Sequence, residues 1–274
     1  MLKDLLPLFK DANPGLRSEA RRQIITSDPA RAVTLLAETM TSDSILEQQA
    51  AISTLASLKR DDADAVLDQW LARLAKREAP EAVQLDLLDT AKARATKAML
   101  EQVTAFNATR KPDDHLRDYR EALAGGREVR GQEIFFGRSE VSCRRCHKID
   151  GNGGEVGPDL SRIGLDKTRE YLLEALVDPS KQIAKGFETA ILQMADGKVH
   201  AGIIKSDDGQ RIQLQKPEGA IVVLEKSAIE DRAIGKSGMP EDLVKKITKS
   251  EVRDLVEYLS TLRNTTNPAE HGKK

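Results

Sequence analysis

Long apolar runs, aromatic residues, cysteine and net charge are all scarce in this chain of 274 residues, and each scarcity excludes something. No stretch approaches the roughly 18 consecutive apolar residues of a membrane span, and the start, Met1-Leu2-Lys3-Asp4, has no apolar signal region. With one Trp, three Tyr and five Phe against 32% charged residues, the composition disfavours an all-β fold and fits helices with a heavily solvated surface. Forty-three Lys and Arg against forty-four Asp and Glu leave a net charge of −1, so no overall field draws nucleic acid or an anionic membrane. The length suits two domains, or one domain with an insertion.

The only two cysteines fall three positions apart in Cys143-Arg144-Arg145-Cys146-His147, the C-x-x-C-H pattern of covalent haem c attachment. The spacing has a chemical reason. Two thiols on one helical turn can both add to porphyrin vinyl groups, and the adjacent imidazole then lies under the iron as a proximal ligand. Three other readings stand beside it. A structural zinc needs four ligands, whereas His115, His200 and His271 are scattered without ligand-like spacing. A thioredoxin-like pair needs a βαβ setting. A disulfide across two intervening residues closes almost no loop.

Other segments have features that a haem site needs. Gly131 and Phe135, four apart in a helical stretch from Gly126 to Arg138, share one face leading into the motif. Val252, Leu255, Val256, Leu259 and Leu262 repeat with helical period near the other end, with Tyr258 on the same helix. In Gly157-Pro158-Asp159-Leu160, a carbonyl in a rigid turn could accept the proximal imidazole's proton and fix its tautomer. Met239, in the short loop Lys236-Ser237-Gly238-Met239-Pro240, is the leading candidate for a sixth ligand, ahead of Met194 and His200 in strand-like runs.

On Gly131, Phe135, Cys143, Cys146, His147, Gly157, Pro158, Leu160, Met239, Pro240 and Tyr258, residues 123–264 resemble a class I cytochrome c domain. More specifically, they resemble the haem-binding domain at the carboxyl end of large secreted dehydrogenase-like proteins of Planctomycetes and Verrucomicrobia. The resemblance covers about half of the chain. It implies one covalent haem c with His147 and Met239 as axial ligands, and an exported or periplasmic location. It also implies a fused dehydrogenase or a separate redox partner, with the chain a fragment or processed product whose export signal lay upstream. About ninety residues separate His147 from Met239, more than a compact cytochrome needs. Within 187–232 the runs FETAILQM, KVHAGIIK, QRIQLQ and AIVVLE alternate around turn residues, which predicts an inserted antiparallel β meander of four or five strands.

The first 122 residues read differently. Helices are expected near 2–10, 15–26, 29–40, 43–58, 62–77, 80–95 and 97–108, in pairs recurring at about 30–35 residues. That pattern resembles a HEAT-like α-solenoid, with a plain bundle as the alternative and with Trp70 and Phe106 as core. The fold expectation is therefore mainly α: a helical repeat domain over 1–122, a cytochrome c fold over 123–264 with its β insertion, and a disordered tail over 265–274. The functional expectation is an electron carrier rather than an enzyme, needing neither nucleic acid nor a membrane span. The alternatives are a five-coordinate haem that binds gas or peroxide, and a helical scaffold in which haem is ancillary.

Overall fold

The computed structural model describes residues 2–5 and 7–264; the tail expected to be disordered, 265–274, lies outside the described residues. Two compact units divide the chain, Met1–Gly125 and Gly126–Lys274. The division falls three residues later than the sequence suggests, because Gln49 Nε2 donates to both Ala82 O (3.0 Å) and Gly125 O (2.8 Å) and so keeps Gly125 in the first unit.

The first unit is helical: α1 (Leu2–Leu5), α2 (Pro14–Ser27), α3 (Pro29–Thr39), α4 (Ile45–Ser57), α5 (Asp61–Ala75), α6 (Glu81–Arg94) and α7 (Lys97–Ala108). A single helix over 2–10 does not form; a 3-10 turn occupies Pro7–Lys10, since Pro7 has no N–H for a continuing helix. Most helix starts are written in short polar residues. The side chains of Asn13, Asp28, Ser44 and Thr96 each accept a first-turn backbone N–H, and Pro14 and Pro29 fill first-turn positions where no donor is needed. Helices two apart in sequence are neighbours, α2 with α4, α4 with α6, α3 with α5 and α5 with α7, which gives two rows. Between them Leu36, Met40, Ile52, Leu55, Leu67, Trp70, Leu74, Leu87 and Phe106 form one buried core.

One carboxylate ties the start of this unit together. Glu47 on α4 has a side chain only 3% exposed and accepts a two-pronged pair from Arg17 of α2, at 2.9 and 2.8 Å, and a further bond from Arg21.

The second unit opens with α8 (Glu128–Gly137) and the single turn α9 (Cys143–Cys146), followed by a hairpin of β1 (Lys148–Ile149) and β2 (Asn152–Gly153). Next come α10 (Ile163–Asp166) and α11 (Arg169–Val177), then β3 (Thr189–Met194), β4 (Val199–Asp207), β5 (Arg211–Gln215), β6 (Ile221–Glu225) and β7 (Ile229–Ile234), and last α12 (Lys249–Thr261). α8 crosses α12 closely. A Cβ on Gly131 would sit 2.0 Å from Asp254 O and 2.6 Å from Tyr258 Cβ, so only glycine permits this approach. Phe135 packs 6.0 Å from the Tyr258 ring, while Asp254 Oδ1 accepts the Arg127 N–H at 2.8 Å ahead of α8. α11 and α10 also pack on α12, and Glu257 holds Arg169 at 2.7 and 2.8 Å.

The sheet is antiparallel with strand order β6-β5-β4-β3-β7. β3 to β6 make the expected meander, but β7 returns after a 3-10 turn at Lys226–Ala228 to pair with β3 at the other edge. The sheet is thus closed back on its first strand. Alternation puts Ala190, Leu192, Met194, Ile212, Leu214 and Leu224 into a core of its own. Among the described residues no helix is long and apolar enough to cross a membrane.

The Arg17 and Arg21 guanidiniums hold the Glu47 carboxyl down at about 2, against an ordinary 4.5. Because the folded value is the depressed one, the stability it contributes is complete above about pH 4.5 and is lost as the pH falls through about 2. That contribution is roughly 3 kcal/mol. Melting temperatures of the parent and of Glu47→Gln, measured from pH 6 down to pH 2, are expected to differ most at the upper end and to converge in acid. Parallel curves would mean that the ion pair adds nothing.

Candidate functional site

The site is built on the α9 turn. Ser142 enters it with φ 45°, its N–H bonded back to Arg138 O, and Val141 is buried beneath the entry. Cys143 and Cys146 stand one turn apart, both half-buried and unpaired with each other, and His147 N–H donates to Cys143 O at 3.0 Å. The following loop then folds back over the turn through backbone bonds alone: Gly154 N–H to Arg144 O (2.9 Å), Gly157 N–H to Cys146 O (2.8 Å) and Leu160 N–H to Lys148 O (2.8 Å). The reversal that makes this possible is the β1–β2 hairpin, whose turn residues Asp150 and Gly151 both have positive φ.

This folding back brings Pro158 to His147. The imidazole Nδ1 lies 3.0 Å from Pro158 O. Burial pushes the His147 pKa below its usual value of 6.5, against the opposing pull of that carbonyl, so the ring is neutral at pH 7. A carbonyl only accepts, so the neutral ring carries its proton on Nδ1 and leaves the Nε2 lone pair free for a metal. Gly157 closes the ring in. A Cβ there would sit 2.6 Å from Cε1 and 2.8 Å from Nδ1 of the imidazole, so the glycine lets the backbone lie against the ring.

Burial pushes the Cys143 thiol up to about 11, with the neighbouring Cys146 adding to the effect. A nucleophilic or metal-binding thiolate needs the opposite shift. Two thiols and one oriented imidazole lack the fourth donor of a structural zinc site, and among the described residues no three His, Cys, Asp or Glu side chains converge as a metal-binding group.

The remaining candidates lie elsewhere. Met239 is half-buried in the bend after β7, its N–H bonded to Ser237 Oγ at 3.2 Å. Met194 is in the sheet core, 8% exposed, and His200 pairs across from Leu192 in the sheet. The turn therefore assembles Cys143, Cys146, His147 and Pro158 directly, and Met239 lies on a separate segment. The hairpin was not anticipated from sequence, although Asp150-Gly151 is the dipeptide that favours it.

Around the turn, Arg138 pairs with Glu251 at 2.9 Å and Glu140 at 3.4 Å, and Lys148 pairs with Glu155 at 2.7 Å. Arg144 and Arg145 are exposed, with no ion pair among the described residues. No protein-family model matches the chain, and no curated protein matches it, so the site is read from its own chemistry.

Gly157→Ala is expected to push the imidazole off Pro158 and to destabilise the unit by about 1–3 kcal/mol. Nitrogen NMR of the His147 ring reads the proton on Nδ1 directly, alongside thermal melting. An unchanged ring signal would mean that the ring does not depend on a glycine at 157.

Proposed function

We propose that the second unit is a class I cytochrome c domain that holds one covalent haem c and carries single electrons. The observation behind this reading is the imidazole of His147, placed directly after two thiols one turn apart and held by Pro158 O at 3.0 Å with Nε2 free. The residues fit the group. Cys143 and Cys146 would attach it as thioethers, His147 Nε2 would be the proximal ligand and the Met239 thioether the sixth. A porphyrin brings four nitrogen donors of its own, which suits a site where the protein offers one oriented imidazole and no cluster of acids. The close crossing of α8 and α12 at Gly131, Phe135 and Tyr258 agrees with the resemblance noted above.

When bound, the haem iron supplies a one-electron ferric/ferrous couple. Pro158 keeps the proton of His147 on Nδ1, and Gly157 holds the ring orientation. If His147 and Met239 both ligate the iron, no position would remain for substrate, and the unit would act as a carrier rather than an enzyme. The two-row helical unit is read as a HEAT-like repeat that contacts protein partners, and a fused or separate dehydrogenase is the electron source. Covalent haem attachment places the protein outside the cytoplasm.

Expression with the cytochrome c maturation machinery, followed by oxidised and reduced optical spectra, tests the assignment. A low-spin haem c with a weak near-red sulfur-to-iron band in the ferric state is expected. A high-spin spectrum would remove Met239 and favour gas or peroxide binding, and absence of bound haem would end the proposal.

Exposed, and with no ion pair among the described residues, Arg144 and Arg145 favour an acidic partner surface. Electron transfer to an acidic redox protein is expected to slow as salt rises, because exposed charges are screened beyond about 10 Å at 0.1 M. The variant carrying Arg144→Gln and Arg145→Gln is expected to flatten that dependence. A parent rate already indifferent to salt would exclude the electrostatic encounter.

A further inference from the structure

A hydroxyl ties the segment that carries Met239 to the end of α11. Ser180 follows α11 in the turn Asp178-Pro179-Ser180, and Ser237 follows β7, 57 positions later. Ser237 N–H donates to Ser180 Oγ at 3.2 Å, and the same hydroxyl donates to Glu241 Oε1 at 3.2 Å. Ser237 Oγ in turn accepts the Met239 N–H at 3.2 Å. Lys236 Nζ reaches both Glu241 oxygens, at 2.9 and 3.1 Å, and keeps that carboxyl ionised and below the ordinary carboxylate range. Just inside this network, Gly235 N–H donates to Thr189 O at 2.8 Å and Ala190 pairs with Ile234.

The sheet therefore leaves and rejoins the chain through a closed base, and its core comes from its own strands. An excursion of this length carries a loop-closure cost and leaves its far end loosely placed unless something fixes the two ends together. A ligand side chain has the opposite need, since it must be held within a fraction of an ångström of its working position. Ser180 meets both conditions. It stands before the excursion, and its bonds reach residues two positions to either side of Met239.

We infer that Ser180 is the positioning residue for Met239, a reading that rests on the Met239 ligation proposed above. It fastens the bend 237–241 to the end of α11, so that the placement of the thioether does not depend on the 57-residue path between them. Ser180 touches neither Met239 nor any bound group itself; it acts through Ser237 and Glu241.

The test uses the full haem-loaded chain in three forms: parent, Ser180→Ala and Ser180→Thr. In Ser180→Ala, amide hydrogen exchange at Ser237 and Met239 is expected to quicken by about fivefold, a readout that needs no haem signal. The near-red sulfur-to-iron band is expected to be lost and carbon monoxide to bind the ferrous form, with far-UV circular dichroism and haem attachment unchanged. Ser180→Thr keeps the hydroxyl and should restore both slow exchange and the band. A merely structural serine would lower the melting temperature and leave the band alone. Retention of the band in Ser180→Ala, whether or not exchange quickens, overturns the inference while leaving the Met239 assignment intact. A parent protein without the band removes that assignment first, and the inference with it.

Discussion

The second unit depends on a loop that folds back over a single helical turn. Gly154, Gly157 and Leu160 donate in succession to the carbonyls of Arg144, Cys146 and Lys148, and that backbone ladder carries Pro158 to the imidazole of His147. Backbone bonds suit this task because they do not titrate and lose little entropy once the chain path is set. The path itself is set by two requirements: a reversal at Asp150-Gly151 with positive φ, and a glycine at 157 thin enough to lie on the ring. Once those hold, the proton on Nδ1 has a single acceptor and the lone pair on Nε2 has a single direction. The proposed ligation follows from the loop and not from any charge near it.

Burial has opposite consequences for the two kinds of group in this turn. Desolvation lowers the His147 pKa and raises that of Cys143, so each is held in its neutral form at pH 7. A neutral imidazole is what a metal ligand requires. A neutral Cys143 thiol is poor at thiolate chemistry, which weakens the redox-pair and zinc readings. Electrostatics acts instead at the rim, where Arg138 and Lys148 are already paired and Arg144 and Arg145 have no ion pair among the described residues. Of the six basic residues within 127–148, then, Arg127, Arg130, Arg144 and Arg145 are exposed with no ion pair among the described residues.

Much of this was legible in the sequence because it depends on local spacing. The Cys143-to-His147 pattern, the helix starts at Asn13-Pro14 and Asp28-Pro29, and the face shared by Gly131 and Phe135 all follow from periods of three or four residues. The strands around Ala195 to Gly219 were legible by alternation. What remained hidden is what joins distant segments. The return of β7 to β3 could not be read from an exposed and mixed run such as Ile229–Ile234, whose only partner is decided by the rest of the sheet. Ser180 and Ser237 carry no pattern at all, since a serine in a turn looks the same whether or not it bonds across 57 residues. Likewise, the pairing of Arg138 cannot be read locally, because its partner Glu251 comes from α12, more than a hundred positions away.

The closed base of the sheet has a consequence for how such a unit tolerates inserted chain. Loop-closure cost grows only with the logarithm of length, at about 0.6 kcal/mol per doubling, so the cost of a long excursion lies mostly in leaving its ends unfixed. Thr189 with Gly235, and Ser180 with Ser237, fix those ends within a few residues of each other. Beyond that base, the strands need only satisfy their own pairing and their own core around Leu192, Leu214 and Leu224. Sheet and site can then vary separately: the sheet's length and outer surface are free to serve contacts, while the bend at 237–241 keeps its place relative to α11. The long spacing between His147 and Met239 is on this account compatible with a compact site, because the chain distance between them is bridged before the sheet begins.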